Sequence, residues 1–149
     1  MSNERIDQLI EKELERRSAV RAISEASPAF IAALVKSIEE ALKHIASRVS
    51  IPAFKMLPQK GRIVISNNHE GQEKSEAVIK IKSHEMLVSF SATEHTNYDG
   101  WQVPIEADEG SICYPGRTQD STIEMLTMRV LVPLVFSGLK KSVTDRYLD

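Results

Sequence analysis

Residues 27–50 read SPAFIAALVKSIEEALKHIASRVS and carry the strongest structural signal in the chain. Apolar side chains return every three or four residues, which is the spacing of one face of an α-helix. Ser27 is a suitable N-cap, and Pro28 suits the first helical position, where its missing N–H costs nothing. The pattern predicts a core helix over residues 27–50 whose buried side chains are Phe30, Ile31, Leu34, Val35, Ile38, Leu42, Ile45 and Val49.

A second helical pattern lies upstream, over residues 3–24, and is separated from the core helix by a short turn at residues 25–27. Short connections between helices usually make them antiparallel neighbours in the same chain. One interpretation therefore folds the first helix back onto the core helix, with its charged side chains facing water.

The other interpretation comes from the order of charges along this first helix. Asp7 and Glu11 lie towards its start, whereas Arg17 and Arg21 lie towards its end. An antiparallel second copy would bring the acidic part of one helix against the basic part of the other. The sequence thus also predicts a homodimer contact formed by Ile6, Asp7, Ile10, Glu11, Leu14, Arg17 and Arg21.

Downstream, the apolar period changes from the helical value to two, which is typical of strands with one buried face. Over residues 62–114 this alternation predicts an antiparallel meander of four strands, with a possible fifth at residues 111–114. Pro52 and Pro58 precede this part of the chain and indicate an extended crossing from helix to sheet.

The last predicted element is a buried, kinked helix over residues 121–141. Ser121 and Glu124 have the spacing of a capping box, and the following side chains are apolar on nearly all sides. Pro133 interrupts this pattern, so a buried strand over residues 130–136 is the alternative. Together the patterns predict one α+β domain over residues 1–149: two N-terminal helices, a four- to five-stranded antiparallel meander and a C-terminal helix on one sheet face.

Composition limits the classes of function. The chain has 149 residues, 42% of them hydrophobic, and a formal net charge of -2, so no overall basic field favours nucleic acid or an anionic membrane. A lone Cys113 excludes an intramolecular disulfide and a zinc site made of cysteines. The charged N-terminus lacks the apolar core of a secretion signal, and no apolar run reaches the roughly 20 residues of a membrane span. We expect a cytoplasmic protein without a membrane partner.

Two loops of the predicted meander carry side chains that suit a divalent metal ion. If the strands pair in sequence, residues 67–75 and 93–99 lie at the same end of the sheet. Imidazoles and carboxylates are common zinc ligands and also act as general acids and bases. The second predicted function is therefore a metal-dependent hydrolase whose ligands are His69, Glu94, His95 and Asp99.

Nucleic-acid binding is the third class of function. Arg62, Lys80 and Lys82 occupy outward strand positions and form a local basic strip. Single-stranded nucleic acids are usually held by aromatic side chains as well, and the outward positions offer valine, leucine and serine instead. Cys113 next to a turn is a possible nucleophile, but a single cysteine between Ile112 and Tyr114 is more typical of a small buried hydrophobic residue.

The sequence offers two candidate surfaces and only one candidate cluster of titratable groups. We therefore favour a small non-enzymatic protein-protein interaction module with an accessory, regulatory or inhibitory role. Its partners would be a second copy of itself and an unidentified protein, and no resident cofactor is expected.

Overall fold

The computed structural model describes residues 3–67, 76–83, 85–91, 100–136 and 138–148. The first element is a single helix, α1, that covers Glu4–Ala46, which is 43 residues. At 1.5 Å per residue this helix is about 65 Å long. The prediction of two N-terminal helices, over residues 3–24 and 27–50, is therefore wrong, and so is the prediction that the first helix folds back on the second.

The helix continues through the expected break because the same core packs on both sides of it. Ser27 is not an N-cap but a buried residue inside α1, and Ile23 and Phe30 flank it on the buried face. Pro28 lies on the exposed side and removes one backbone hydrogen bond, which costs less than the burial of this face contributes. No glycine between residues 22 and 33 offers the chain a helix end.

Five antiparallel strands follow α1, and they pair in the order in which they occur along the chain. The predicted meander is thus confirmed. Side chains alternate as expected, with Ile63, Ile79 and Met86 fully buried on the inner face. The strands are β1 Phe54–Gln59, β2 Arg62–Asn67, β3 Glu76–Lys82, β4 Glu85–Ser91 and β5 Trp101–Pro104.

Strand β1 occupies the stretch that was expected to be only an extended crossing. It pairs with β2 from Phe54 opposite Asn67 to Gln59 opposite Arg62. Pro58 is compatible with this pairing because β1 is an edge strand, and the outer side of an edge strand needs no backbone donors.

The predicted fifth strand of the meander at residues 111–114 belongs instead to a separate hairpin. Here β6, Glu106–Asp108, pairs with β7, Ser111–Cys113. Its turn contains Glu109 and Gly110, which both have positive φ. This hairpin contacts α1, and so it packs beside the helix rather than extending the large sheet.

The C-terminal helix α2 covers Gln119–Val135. Its N-cap is Thr118, whose hydroxyl accepts a hydrogen bond from the backbone N–H of Ser121 at 3.2 Å. Pro133 is inside the helix, and residues 130–135 are helical, so the alternative of a buried strand is wrong. A short helix α3, Lys141–Thr144, and a 3₁₀ turn, Asp145–Tyr147, complete the described chain.

The core lies where the C-terminal part of α1 meets α2, the inner face of the sheet and the β6–β7 hairpin. Phe30, Leu34 and Ile38 are fully buried there, as their spacing predicts. Val49, which the same pattern assigned to the core, is 55% exposed because α1 ends before it. The overall α+β class and the packing of the C-terminal helix on the sheet are confirmed.

Candidate functional site

The N-terminal part of α1, residues 4–22, extends beyond the body of the protein. No residue between 3 and 22 is buried, and the first buried residue is Ile23. Large apolar side chains remain in water along this segment: Ile6 is 55%, Leu9 66%, Ile10 51% and Leu14 59% exposed. All seven residues predicted for a homodimer contact lie in this segment and are exposed. We call residues 4–22 the free arm.

Charge is distributed unevenly along the free arm. Glu13 forms ion pairs within the helix, at 2.8 Å to Arg16 and 3.0 Å to Arg17. Hydrogen bonds from these two guanidinium groups lower the pKa of Glu13 to about 2. Asp7 and Glu11 precede this cluster and Arg21 follows it, so the acidic-to-basic order predicted from the sequence is present on the helix surface.

A groove of about 870 Å³ begins where the free arm meets the body of the protein. One wall is the side of α1 that runs from Val20 to Val35, and the other consists of two β-turns. We call it the α1 groove. The residues that line it are Val20, Ile23, Ser24, Ser27, Pro28, Ile31, Ala32, Val35, Pro58, Gln59, Lys60, Gly61, Ile81 and Ser83.

The two turns that form the far wall are held together by the backbone. The N–H of Ile81 donates a hydrogen bond of 2.8 Å to the carbonyl oxygen of Gly61. Gly61 has φ of 71°, a conformation that a residue with a Cβ adopts only with strain. Lys60 lines the groove beside it and is exposed, so this wall carries a positive charge.

The predicted metal ligands His69, Glu94, His95 and Asp99 lie outside the described residues. Within the part of the chain that the structure describes, no three histidine, cysteine or acidic side chains are grouped so that they could hold a metal ion. The hydrolase interpretation therefore stays a prediction from the sequence.

Cys113 is the last residue of β7 and is 6% exposed, as expected for a small buried hydrophobic residue. Burial raises the pKa of its thiol, and the nearby Glu106 and Asp108 raise it further. A thiol in such surroundings is mostly protonated at neutral pH and is a poor nucleophile.

The outer face of the large sheet bears no helix among the described elements. Arg62, Lys80 and Lys82 are exposed there, as predicted. Val64 and Val78 lie opposite each other on the same face and are half-buried. The described outer positions with defined side chains include no aromatic residue, so this face lacks the stacking surface typical of single-strand binders.

Helix α1 also contains an 18-residue stretch with mean hydropathy 1.3, which by length and composition alone is sufficient for a membrane span. One third of this stretch is buried inside the protein. Core helices of soluble proteins have the same character, so the stretch does not discriminate between these two roles.

Comparison with protein-family models, with curated proteins and with solved structures gives no match for this chain. The free arm and the α1 groove are therefore the features from which a function is inferred.

Proposed function

We propose that this protein is a non-enzymatic protein-protein interaction module that forms a homodimer through the free arm, residues 4–22 of α1. As a dimer it would serve an accessory, regulatory or inhibitory role towards an unidentified protein. The single observation that supports this proposal is the row of apolar side chains left in water on the free arm, with Ile6, Leu9, Ile10 and Leu14 each more than half exposed.

Such a row on a helix is a common site of association. Apolar residues on a surface helix normally face a core, and the described part of the chain supplies none for residues 4–22. Complete burial of a Leu or Ile side chain contributes about 1.5–3 kcal/mol. Covering the exposed half of such a side chain in a dimer would therefore contribute about 1–2 kcal/mol. Four such residues on each of two copies give a gross gain of about 8–16 kcal/mol.

A second copy suits this face better than an unrelated helix because of the charge order. Arg17 and Arg21 near the end of the free arm complement Asp7 and Glu11 near its start when two copies run antiparallel. The resulting interface is isologous, so each favourable contact is made twice.

The proposal is tested by the molar mass of the protein in solution. We expect a dimer for the parent chain, measured by light scattering over a range of concentrations, and a folded monomer for Leu14→Asp. Leu57→Asp is a matched control, since Leu57 is 56% exposed on edge strand β1 and Leu14 is 59% exposed on the free arm. A parent protein that is monomeric at every concentration would contradict the proposal.

Charge reversal tests the antiparallel arrangement separately. The double variant Arg17→Glu and Arg21→Glu places like charges opposite each other and should weaken the dimer by roughly tenfold or more. Adding Asp7→Lys and Glu11→Lys restores opposite charges and should recover part of that affinity. Equal dimerisation of all three proteins at low salt would exclude the charge argument.

A further inference from the structure

We propose that the α1 groove of each copy receives the first turns of the other copy's α1, so that the dimer contact includes both the free arm and the two β-turns. This inference rests on the homodimer proposed above. It assigns an occupant to the α1 groove and gives Lys60 a role in dimerisation.

One face of α1 continues from the free arm into the α1 groove. A residue of an α-helix is rotated by about 100° from its neighbour, so positions three or four apart share a face. The exposed apolar positions Ile6 and Ile10 continue at this spacing through Glu13, Arg17 and Val20. The same spacing then reaches residues on the helix wall of the groove, which are Ser24, Ser27, Pro28, Ile31 and Val35. An antiparallel helix on the free arm is therefore directed along the groove.

The second argument is the register that best matches the side chains. With a two-fold axis near Glu15, Glu13 of one copy lies opposite Arg17 of the other, and Ile10 lies opposite Val20. Ile6 then lies opposite Ser24, which also lines the groove. One turn further towards its N-terminus, α1 of the second copy lies between α1 and the β1–β2 turn of the first copy.

The third argument is electrostatic complementarity. The first two turns of α1, residues 4–11, carry Glu4, Asp7 and Glu11 and one basic residue, Arg5. The far wall of the groove carries the exposed Lys60. An acidic helix start next to a basic wall is favourable, and it is also selective because the basic end of the free arm would be repelled there.

Cross-linking between copies tests this placement. The variant carries Asn3→Cys and Lys60→Cys in a Cys113→Ala background and is treated with a short bis-maleimide reagent. Asn3 precedes the first groove residue, Val20, by a helical distance of about 25 Å, so a link within one chain between the two introduced thiols is excluded. The control pairs Asn3→Cys with Lys55→Cys, which is near the start of strand β1 and away from the turn that contains Lys60.

We expect covalent dimers from the Lys60 pair and none from the Lys55 pair. Two results would overturn the groove assignment and leave the homodimer in place. One is a dimeric mass by light scattering with no cross-link at position 60, and the other is a dimeric mass with equal cross-linking at position 55. A monomeric mass overturns both proposals, so the two failures are distinguishable.

A second measurement does not require cysteine. Lys60→Glu should weaken the dimer roughly three- to tenfold at low salt, with a smaller effect at high salt, while Lys55→Glu should leave the dissociation constant unchanged. Identical dissociation constants for the two variants would also overturn the assignment.

Discussion

Residues 4–22 and residues 23–46 belong to one helix, yet every buried side chain of that helix lies in the second part. The docked part is fixed by the sheet, the β6–β7 hairpin and α2. The free arm has no buried residue and continues the helix from a turn that is already formed, so it avoids the cost of nucleation. The comparison shows that helical structure and core membership are separate properties of this sequence, and that the exposed part is the one left for recognition.

The largest difference between the two parts should appear in folding stability. Phe30→Ala removes a fully buried ring from the docked part and should lower the free energy of unfolding by about 3–5 kcal/mol. Leu14→Ala on the free arm should change it by less than about 0.5 kcal/mol when measured on the monomer. Urea denaturation of both variants makes the comparison, and similar losses would mean that the free arm packs on the body in solution.

Pro28 lies near the junction of the two parts and gives the next effect. It has no N–H to donate to the carbonyl of Ser24, and proline inside a helix is about 3 kcal/mol less favourable than alanine. Because the ring is exposed, Pro28→Ala should raise the stability of the monomer by about 1–3 kcal/mol. Thermal denaturation followed by circular dichroism measures this, and a destabilised Pro28→Ala variant would show that the ring itself makes essential contacts.

A hydroxyl pair links the docked part to α2 and should have a smaller effect. The single hydroxyl hydrogen of Thr127 is donated to the carbonyl of Ile123, so Ser37 is the donor in the 2.9 Å contact between Ser37 and Thr127. Ser37→Ala should therefore cost about 0.5–1.5 kcal/mol in urea denaturation. Ser47→Ala, at the exposed end of α1, is the matched control and should be nearly neutral.

The smallest effect concerns pH and the free arm. Because the folded pKa of Glu13 is lowered from 4.5 to about 2, its ion pairs stabilise the helix above about pH 4.5, and this contribution is lost as the pH falls towards 2. NMR titration of the Glu13 carboxyl should give a midpoint well below 4.5. A midpoint near 4.5 would mean that Arg16 and Arg17 do not hold the carboxylate in solution.

Much of this fold follows from periodicity, because burial on one face imposes a regular spacing. Phe30, Leu34 and Ile38 illustrate this for α1, and Ile63 and Ile79 for the sheet. The predicted break in α1 is wrong because packing outweighs the local capping and proline signals at Ser27 and Pro28. The apolar periodicity across residues 23–31 already indicated that one buried face continues through this point. Strand β1 was missed because Pro58 within it discourages a central strand, while its position at the edge depends on the whole sheet.

Of the two parts of the candidate surface, the sequence predicts the free arm but not the α1 groove. Residues of the free arm are contiguous, so their charges and apolar spacing were visible in the sequence. The α1 groove brings Val20 together with Lys60 and Ile81, and no local pattern reports a contact between segments so far apart. The one sequence signal for the groove was the helix face itself, whose positions recur every three or four residues without a break from Ile6 to Val35.

The proline inside α1 has a consequence for local unfolding. With one backbone hydrogen bond missing near residue 24, the free arm can open as a cooperative unit while the docked part stays intact. In the monomer, amide hydrogens of residues 4–22 should then exchange with deuterium far sooner than those of residues 30–45. Dimerisation would slow the first group selectively, so exchange rates along this one helix report how much of the protein is associated.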